Sequence, residues 1–122
     1  MANGNVTLTG NISGGPTGTR TFGPLTITMA SAVDQTTVQA LSVGANTVTV
    51  PTGATCCIIT GPNAIAPVPN PTNAAVLTLK GVAGDTGVTV SAKWPTLLSW
   101  DVTPASFVIN STAVATIELL FA

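Results

Sequence analysis

Histidine and tyrosine are absent from this 122-residue sequence, and charged side chains make up 6% of it, against about 25% in an ordinary soluble domain. The first absence removes the commonest general base and the phenolic acid from any proposed active site. The second leaves three cations (Arg20, Lys80, Lys93) and four anions (Asp34, Asp85, Asp101, Glu118). Three cations make no footprint for a phosphate backbone, so nucleic acid is excluded as a partner. The carboxylates stand 51, 16 and 17 positions apart, which supplies no local pair for acid and base work. Long hydrophobic runs are also lacking. Glycine, proline or threonine interrupts each apolar stretch before the ~18 residues that a spanning helix requires, so no membrane partner is expected. Met1-Ala2-Asn3-Gly4-Asn5 has neither a basic nor an apolar region of the kind a secretory leader needs, and synthesis in a cytoplasm is the expectation.

What is abundant is threonine, with 22 copies, and valine, with 14, residues that suit pleated, half-buried surfaces. Leucine, glutamate, lysine and arginine are too few for amphipathic helices, so the chain reads as all-β. Period-two alternation supports this in Val6, Leu8 and Ile12, in Leu25, Ile27 and Met29, in Val48 and Val50, in Val88, Val90 and Ala92, and in Ala115, Ile117, Leu119 and Phe121. Turn signals fall between them: Gly14-Gly15-Pro16, Pro51-Thr52-Gly53, Gly61-Pro62-Asn63 and Gly84-Asp85-Thr86-Gly87. The spacing predicts strands near 4–12, 24–30, 33–42, 46–50, 54–60, 74–80, 87–92, 96–102, 105–110 and 113–121. About eight to ten short strands in one domain of this length call for two packed sheets, an antiparallel β-sandwich of jelly-roll or immunoglobulin-like type. Residues 63–73 contain Pro67, Pro69 and Pro71, which remove backbone donors and predict a long surface loop. Residues 13–23 are glycine-rich and read as irregular, so that residues 1–12 form a strand or arm able to pair with a neighbouring subunit and residues 13–122 form the sandwich.

Few motifs carry chemistry. Cys56 and Cys57 are adjacent, point to opposite faces of a strand and cannot bridge without strain, which predicts two free buried thiols. No histidine or second cysteine pair accompanies them, and no metal site is expected. Asp85 between Gly84 and Gly87 can offer oxygens to calcium, but the same residues make a hairpin turn, the reading preferred here. Asn5-Val6-Thr7, Asn11-Ile12-Ser13 and Asn110-Ser111-Thr112 match the glycosylation sequon, a frequent coincidence in a threonine-rich chain. No glycine cluster is followed by lysine or a helix, so no nucleotide cradle and no cofactor are implied. Trp94 and Trp100 are the only tryptophans. Exposed, they can stack on sugar rings; the alternative is that Trp100 anchors the core beside Leu98 and Val102 while Trp94 covers a sandwich edge next to Pro95.

The charge deficit itself points to assembly. A free monomer ordinarily keeps mixed charges on its surface and lysine on its sheet edges, whereas this chain offers threonine, serine, asparagine and alanine. Such surfaces are tolerated when neighbours cover them, through strand addition that is nearly insensitive to salt. A homo-oligomer on a larger particle follows, with Val6, Leu8 and Ile12 of the arm as the candidate capsid or subunit interface.

The segments Val6-Thr7-Leu8-Thr9-Gly10-Asn11-Ile12, Gly23-Pro24-Leu25-Thr26-Ile27, Asn46-Thr47-Val48-Thr49-Val50-Pro51-Thr52-Gly53-Ala54-Thr55 and Leu77-Thr78-Leu79-Lys80-Gly81-Val82-Ala83-Gly84-Asp85-Thr86-Gly87 together resemble small virion structural proteins of tailed bacteriophages. The resemblance implies a noncatalytic β-sandwich subunit that decorates or cements the phage head, made in the bacterial cytoplasm and carried on the capsid surface. Its implied partners are the major capsid protein and further copies of itself, as trimers on the capsid lattice. No binding residue is carried over by it. A second class of function is a glycan-binding or host-surface-binding module of a tail tip, fibre or head, acting through Trp94, Trp100 and the proline-rich loop. An enzyme is a distant third, since it requires carboxylates such as Asp85 and Asp101 to converge from afar.

Overall fold

The computed structural model describes residues 2–15, 18–31, 35–65 and 70–122. Among them are ten strands and no helix: β1 (Ala2–Gly15), β2 (Gly18–Ser31), β3 (Gln35–Leu41), β4 (Gly44–Thr49), β5 (Cys56–Thr60), β6 (Leu77–Lys80), β7 (Val88–Val90), β8 (Thr96–Ser99), β9 (Ser106–Ser111) and β10 (Ala115–Phe121). The alternating Thr/Val sequence thus becomes strand, as β propensity and periodicity require.

β3 to β10 form two four-stranded antiparallel sheets, in the orders β3-β10-β5-β8 and β4-β9-β6-β7. Pairs β3–β10, β4–β9, β5–β8 and β6–β7 are nested, the first strand with the last and so on inward. A long antiparallel ribbon of this kind, rolled so that β10 also meets β5 and β9 also meets β6, is a jelly roll. Of the two sandwich types that the sequence left open, the strand order is therefore the jelly roll.

The core lies between the sheets. On β10, Ala115, Ile117, Leu119 and Phe121 are all buried while the intervening Thr116, Glu118 and Leu120 are not. Facing them are Val48, Leu77, Phe107 and Ile109 from the other sheet, with Leu41, Cys57 and Ile59 beside them. Each large aliphatic or aromatic side chain buried there contributes about 1.5–3 kcal/mol. The valine alternation on β7 behaves differently: Val90 packs against the core, but Val88 is 69% exposed. β7 is a three-residue edge strand, and no neighbour covers its start.

Three of the four turn signals lie where turns occur, whereas Gly14 and Gly15 are in β1 and Pro16 lies outside the described residues. Gly53, with φ of 84°, follows Pro51, whose carbonyl accepts the Ala54 N–H at 3.2 Å. Gly61 is buried against the opposing backbone, and a Cβ there would lie 2.6 Å from the Ala92 carbonyl oxygen. Only glycine allows the approach, which lets the Asn63 N–H donate to that oxygen at 3.1 Å. Of the proline-rich stretch, residues 66–69, with Pro67 and Pro69, lie outside the described residues. Its two ends contain turns, and the first end is held inward by buried Pro62 and Ile65. A long surface loop was expected over 63–73; Ala64, Asn70, Pro71 and Thr72 are exposed, while Ile65 is buried.

The first 31 residues depart most from expectation. β1 and β2 pair with each other along 14 residues each, in a two-stranded sheet of their own. The strand expected at 24–30 is therefore not in the sandwich, and the irregular segment expected at 13–23 is mostly strand. The pairing runs past the division expected at residue 12, from Ile12–Arg20 to Gly15–Gly18, with a register shift between these two pairs. Between Leu8–Leu25 and Gly10–Phe22 the register slips by one residue on β2. The extra residue falls at Gly23-Pro24, where Gly23 has φ of 81° and Pro24 has no N–H to offer, which are the marks of a bulge.

Candidate functional site

An apolar opening lies where the two sheets part beside the edge strands β7 and β8. This cleft, of about 470 Å³, is lined by Leu79 and Val88 from one sheet, Leu98 and Trp100 from the other, and Phe107 and Pro104 at its base, with Lys80 and Asp85 contributing its polar part. Leu79, Leu98 and Trp100 are only partly buried although they pack on the core, because β7 and β8 are the edge strands of their sheets.

Trp100 follows β8 and continues its pairing, its N–H donating to the Thr55 carbonyl at 3.2 Å. The indole Nε1–H donates to the Ala54 carbonyl, and the Thr103 hydroxyl donates to the same oxygen at 2.8 Å. Both the ring and its polar tip are thereby held in place. Trp94 is 72% exposed and does not line the cleft. Its N–H and that of Lys93 donate to the Ser91 hydroxyl at 3.0 and 3.1 Å. The structure thus does not bring the two tryptophans together in this cleft. Val102, expected to share a buried face with Trp100, is 83% exposed, because β8 ends at Ser99 and its alternation ends with it.

Asp85 reaches back within its own turn. Its Oδ2 accepts the Val82 N–H at 2.9 Å and its N–H donates to the Val82 carbonyl at 3.1 Å. Lys80 Nζ donates to the Ala83 carbonyl at 3.3 Å. The turn closes at Gly87, with φ of 76°. These bonds occupy the carboxylate as a hairpin turn does. Among the described residues, no group of three or more cysteine, aspartate and glutamate side chains gathers closely enough to hold a metal ion.

The cysteines are both free and both buried. Cys57 belongs to the core between the sheets; burial, and then the neighbouring Cys56, push its thiol from 9.0 up to about 12. Cys56 lies on the other face of β5 yet is covered, with its N–H donating to Ala122 O at 3.0 Å and its thiol 3.6 Å from that oxygen. Held neutral, the Cys57 thiol is a poor nucleophile and a poor metal ligand.

On the opposite edge, Gln39 Nε2 donates to the Thr47 carbonyl at 3.3 Å, tying β3 to β4. A more polar opening of about 510 Å³ lies beside it, lined by Thr37, Gln39, Thr47, Thr49 and Leu119 among others. Of the sequence-predicted interface residues, Val6, Leu8 and Ile12 stand on β1, opposite Ile27, Leu25 and Arg20. Their side chains lie outside the described residues.

Sequence reasoning did not foresee the β7–β8 cleft. Its lining comes from four strands and two loops, and only nested pairing brings Leu79, Leu98 and Phe107 to one opening. The signal available was the shortness of the segments around 88–90 and 96–99, too short to cover a sandwich edge. No helix among the described residues is long and apolar enough to cross a membrane. No protein-family model, curated protein or solved structure matches the chain.

Proposed function

We propose that this chain is a noncatalytic structural subunit of a phage virion, a decoration or cementing protein that bridges neighbouring capsid proteins on the head surface. The observation that carries the reading is a strand ribbon, β1–β2, that belongs to neither sheet of the jelly roll, on a chain with only 6% charged residues. Unpaired strand edges without charged gatekeepers suit subunits that work against neighbours. The resemblance of its threonine-rich segments to small phage virion proteins supplies the particle.

The mechanism is linkage. Contacts that span adjacent capsid proteins exist only on the assembled lattice, so the subunit binds the lattice and not its separated parts, and occupancy stabilises the head against heat and internal pressure. The backbone-rich character of strand addition makes such binding tolerant of salt. To test this, purified protein is mixed with undecorated heads, the particles are sedimented, and copies per head are counted. Saturation at a number matching lattice positions supports the reading; absence of binding overturns it.

A second reading, a glycan-binding module, draws on the 72% exposure of Trp94. Host surface polysaccharide should then shift tryptophan fluorescence in the native chain and not in Trp94→Ala.

A further inference from the structure

We infer that the free edge of β8 is a contact between two copies of this chain, in which β8 runs antiparallel to β8 of a second copy, crossing at Leu97, and each Trp94 covers the apolar cleft of the other copy. The inference rests on the multi-copy part of the reading above, but its test uses the protein alone. A chain that forms this contact and leaves phage heads bare overturns the capsid reading only.

The backbone supplies the open edge. β8 stands at the end of its sheet, with β5 as its hydrogen-bonded neighbour. Bonded and non-bonded pairs alternate along an antiparallel ladder. Cys56 turns its backbone toward the chain end, exchanging bonds with Ala122 at 3.0 and 3.1 Å, and the Trp100 N–H reaches the Thr55 carbonyl at 3.2 Å. The pairs Ser99–Cys56 and Leu97–Ile58 are therefore the non-bonded ones. It follows that the N–H and C=O groups of Leu97 and Ser99 point away from β5. Pro95, two positions earlier, offers a carbonyl on that side and has no N–H to leave unpaired. Leu97 and Ser99 are exposed, and β8 carries no charged residue to guard the edge.

The segment around this edge is complementary to itself. In Lys93-Trp94-Pro95-Thr96-Leu97-Leu98-Ser99-Trp100-Asp101, an antiparallel crossing at Leu97 sets each residue against the one equally far on the other side of Leu97 in the second copy. Lys93 then faces the partner's Asp101, and Trp94 the partner's Trp100. Leu97 exchanges both backbone bonds with the partner's Leu97, and each Ser99 N–H reaches the partner's Pro95 carbonyl. Lys93 and Asp101 are both exposed. Charge selects this crossing among the alternatives that also bring open backbone together. A slip of two residues either way leaves both charges facing uncharged residues, and a parallel pairing sets lysine beside lysine and aspartate beside aspartate, which destabilises a sheet pair. Because the two copies are related by a two-fold axis, each such match occurs twice. The exposed ion pairs thus fix register more than affinity.

The same crossing matches a projection to a hollow. Trp94 is 72% exposed and does not line the cleft of its own copy, whereas Trp100 does. Set opposite the partner's Trp100, Trp94 meets the partner's cleft of about 470 Å³, whose lining of Leu79, Val88, Leu98 and Phe107 is apolar. An indole enclosed there removes roughly 150–250 Å² from water in each copy. Other exposed apolar side chains gather at this end of the molecule: among the described residues Val82, Val88, Leu97 and Val102 join Trp94 between positions 82 and 102. Apolar surface concentrated beside an open strand edge marks a contact surface.

The test is a register-specific cross-link of the full-length chain. Directly opposed, hydrogen-bonded residues have Cα atoms about 5.5 Å apart, within reach of a disulfide. Leu97→Cys, oxidised with diamide at micromolar concentration, should therefore give a covalent dimer on a non-reducing gel. Val102→Cys is the control: the position is 83% exposed, yet in this crossing it lies roughly 30 Å from its own copy, and it should remain a single chain. The native Cys56 and Cys57 are buried. Sedimentation equilibrium at low ionic strength then compares Lys93→Asp, Asp101→Lys and the double variant. Each single reversal should weaken association roughly fivefold or more, and the double variant should return to within about twofold of wild type. Urea unfolding followed by tryptophan fluorescence shows that each variant is folded. Cross-linking of Leu97→Cys no faster than that of Val102→Cys overturns the inference. So does a wild type that sediments as a single chain, or a double reversal that associates no better than the single ones.

Discussion

Trp100 and Ala54 are joined by a hydrogen bond from the indole N–H to the backbone carbonyl, and the Thr103 hydroxyl shares that oxygen. The bond ties the segment before β5 to the segment after β8 across the rim of the apolar cleft. Ala54 is fully buried, so an Ala54 carbonyl that lost these donors would be left without a compensating partner.

Trp100→Phe keeps most of the apolar body and removes the donor. It should cost about 1–2 kcal/mol in urea unfolding, less than Trp100→Ala, which also opens the core beneath the ring and should cost about 3 kcal/mol or more. Equal stabilities for the three chains would mean that the indole contributes nothing to the fold.

Gly87 combines a φ of 76° with a crowded site, where an added Cβ would lie 2.5 Å from the Leu79 carbonyl oxygen; Gly84, in the same turn, has open space. Gly87→Ala should therefore lower stability by about 2 kcal/mol or more, the sum of left-handed strain and a backbone clash. Gly84→Ala should change it little. The comparison of urea midpoints checks both, and a reversed order would show that the turn is not held as described.

Cys57 should resist alkylation at neutral pH until the chain unfolds, because its thiol is neutral and enclosed. Mass spectrometry after iodoacetamide treatment, with and without urea, reads this directly. The same shift has a pH consequence. With the folded value raised from 9.0 to about 12, the folded state holds a proton that the unfolded state releases between these limits. Stability contributed by the neutral thiol is complete below about pH 9 and falls as pH rises toward about 12. Cys57→Ala should show a smaller loss of stability over that window.

In the proposed assembly, association of copies by strand addition should be nearly independent of salt, because backbone hydrogen bonds would carry it. A roughly tenfold rise in ionic strength should shift the dissociation constant by less than about threefold. A steep decline in sedimentation-equilibrium affinity would instead assign the contact to the few charges.

Much of the fold was legible because its determinants are local. Alternation at Ala115, Ile117, Leu119 and Phe121 names a buried face without knowledge of what covers it, and the structure buries all four. Pro51-Thr52-Gly53 marks a turn through backbone preferences alone. The same reasoning failed at Val88 and Val102, which are apolar but exposed, because alternation tells which face a residue shares and not whether another layer reaches it. It failed again at Gly14, Gly15 and Gly18, glycines that suggested an irregular segment and that lie in β1 and β2.

The sequence by itself determined the class of structure. Threonine and valine in alternation, with glycine and proline at intervals, leave strands and turns as the states consistent with backbone sterics. The small number of charged residues likewise argues against a phosphate-backbone partner from composition alone. Only the tertiary structure decided which strands are neighbours: the jelly-roll order, the opening beside β7 and β8, and the separation of β1–β2 from both sheets. Those features depend on pairings between residues as distant as Gln35 and Phe121, and two-residue periodicity records a strand's two faces but not the identity of the strand beside it.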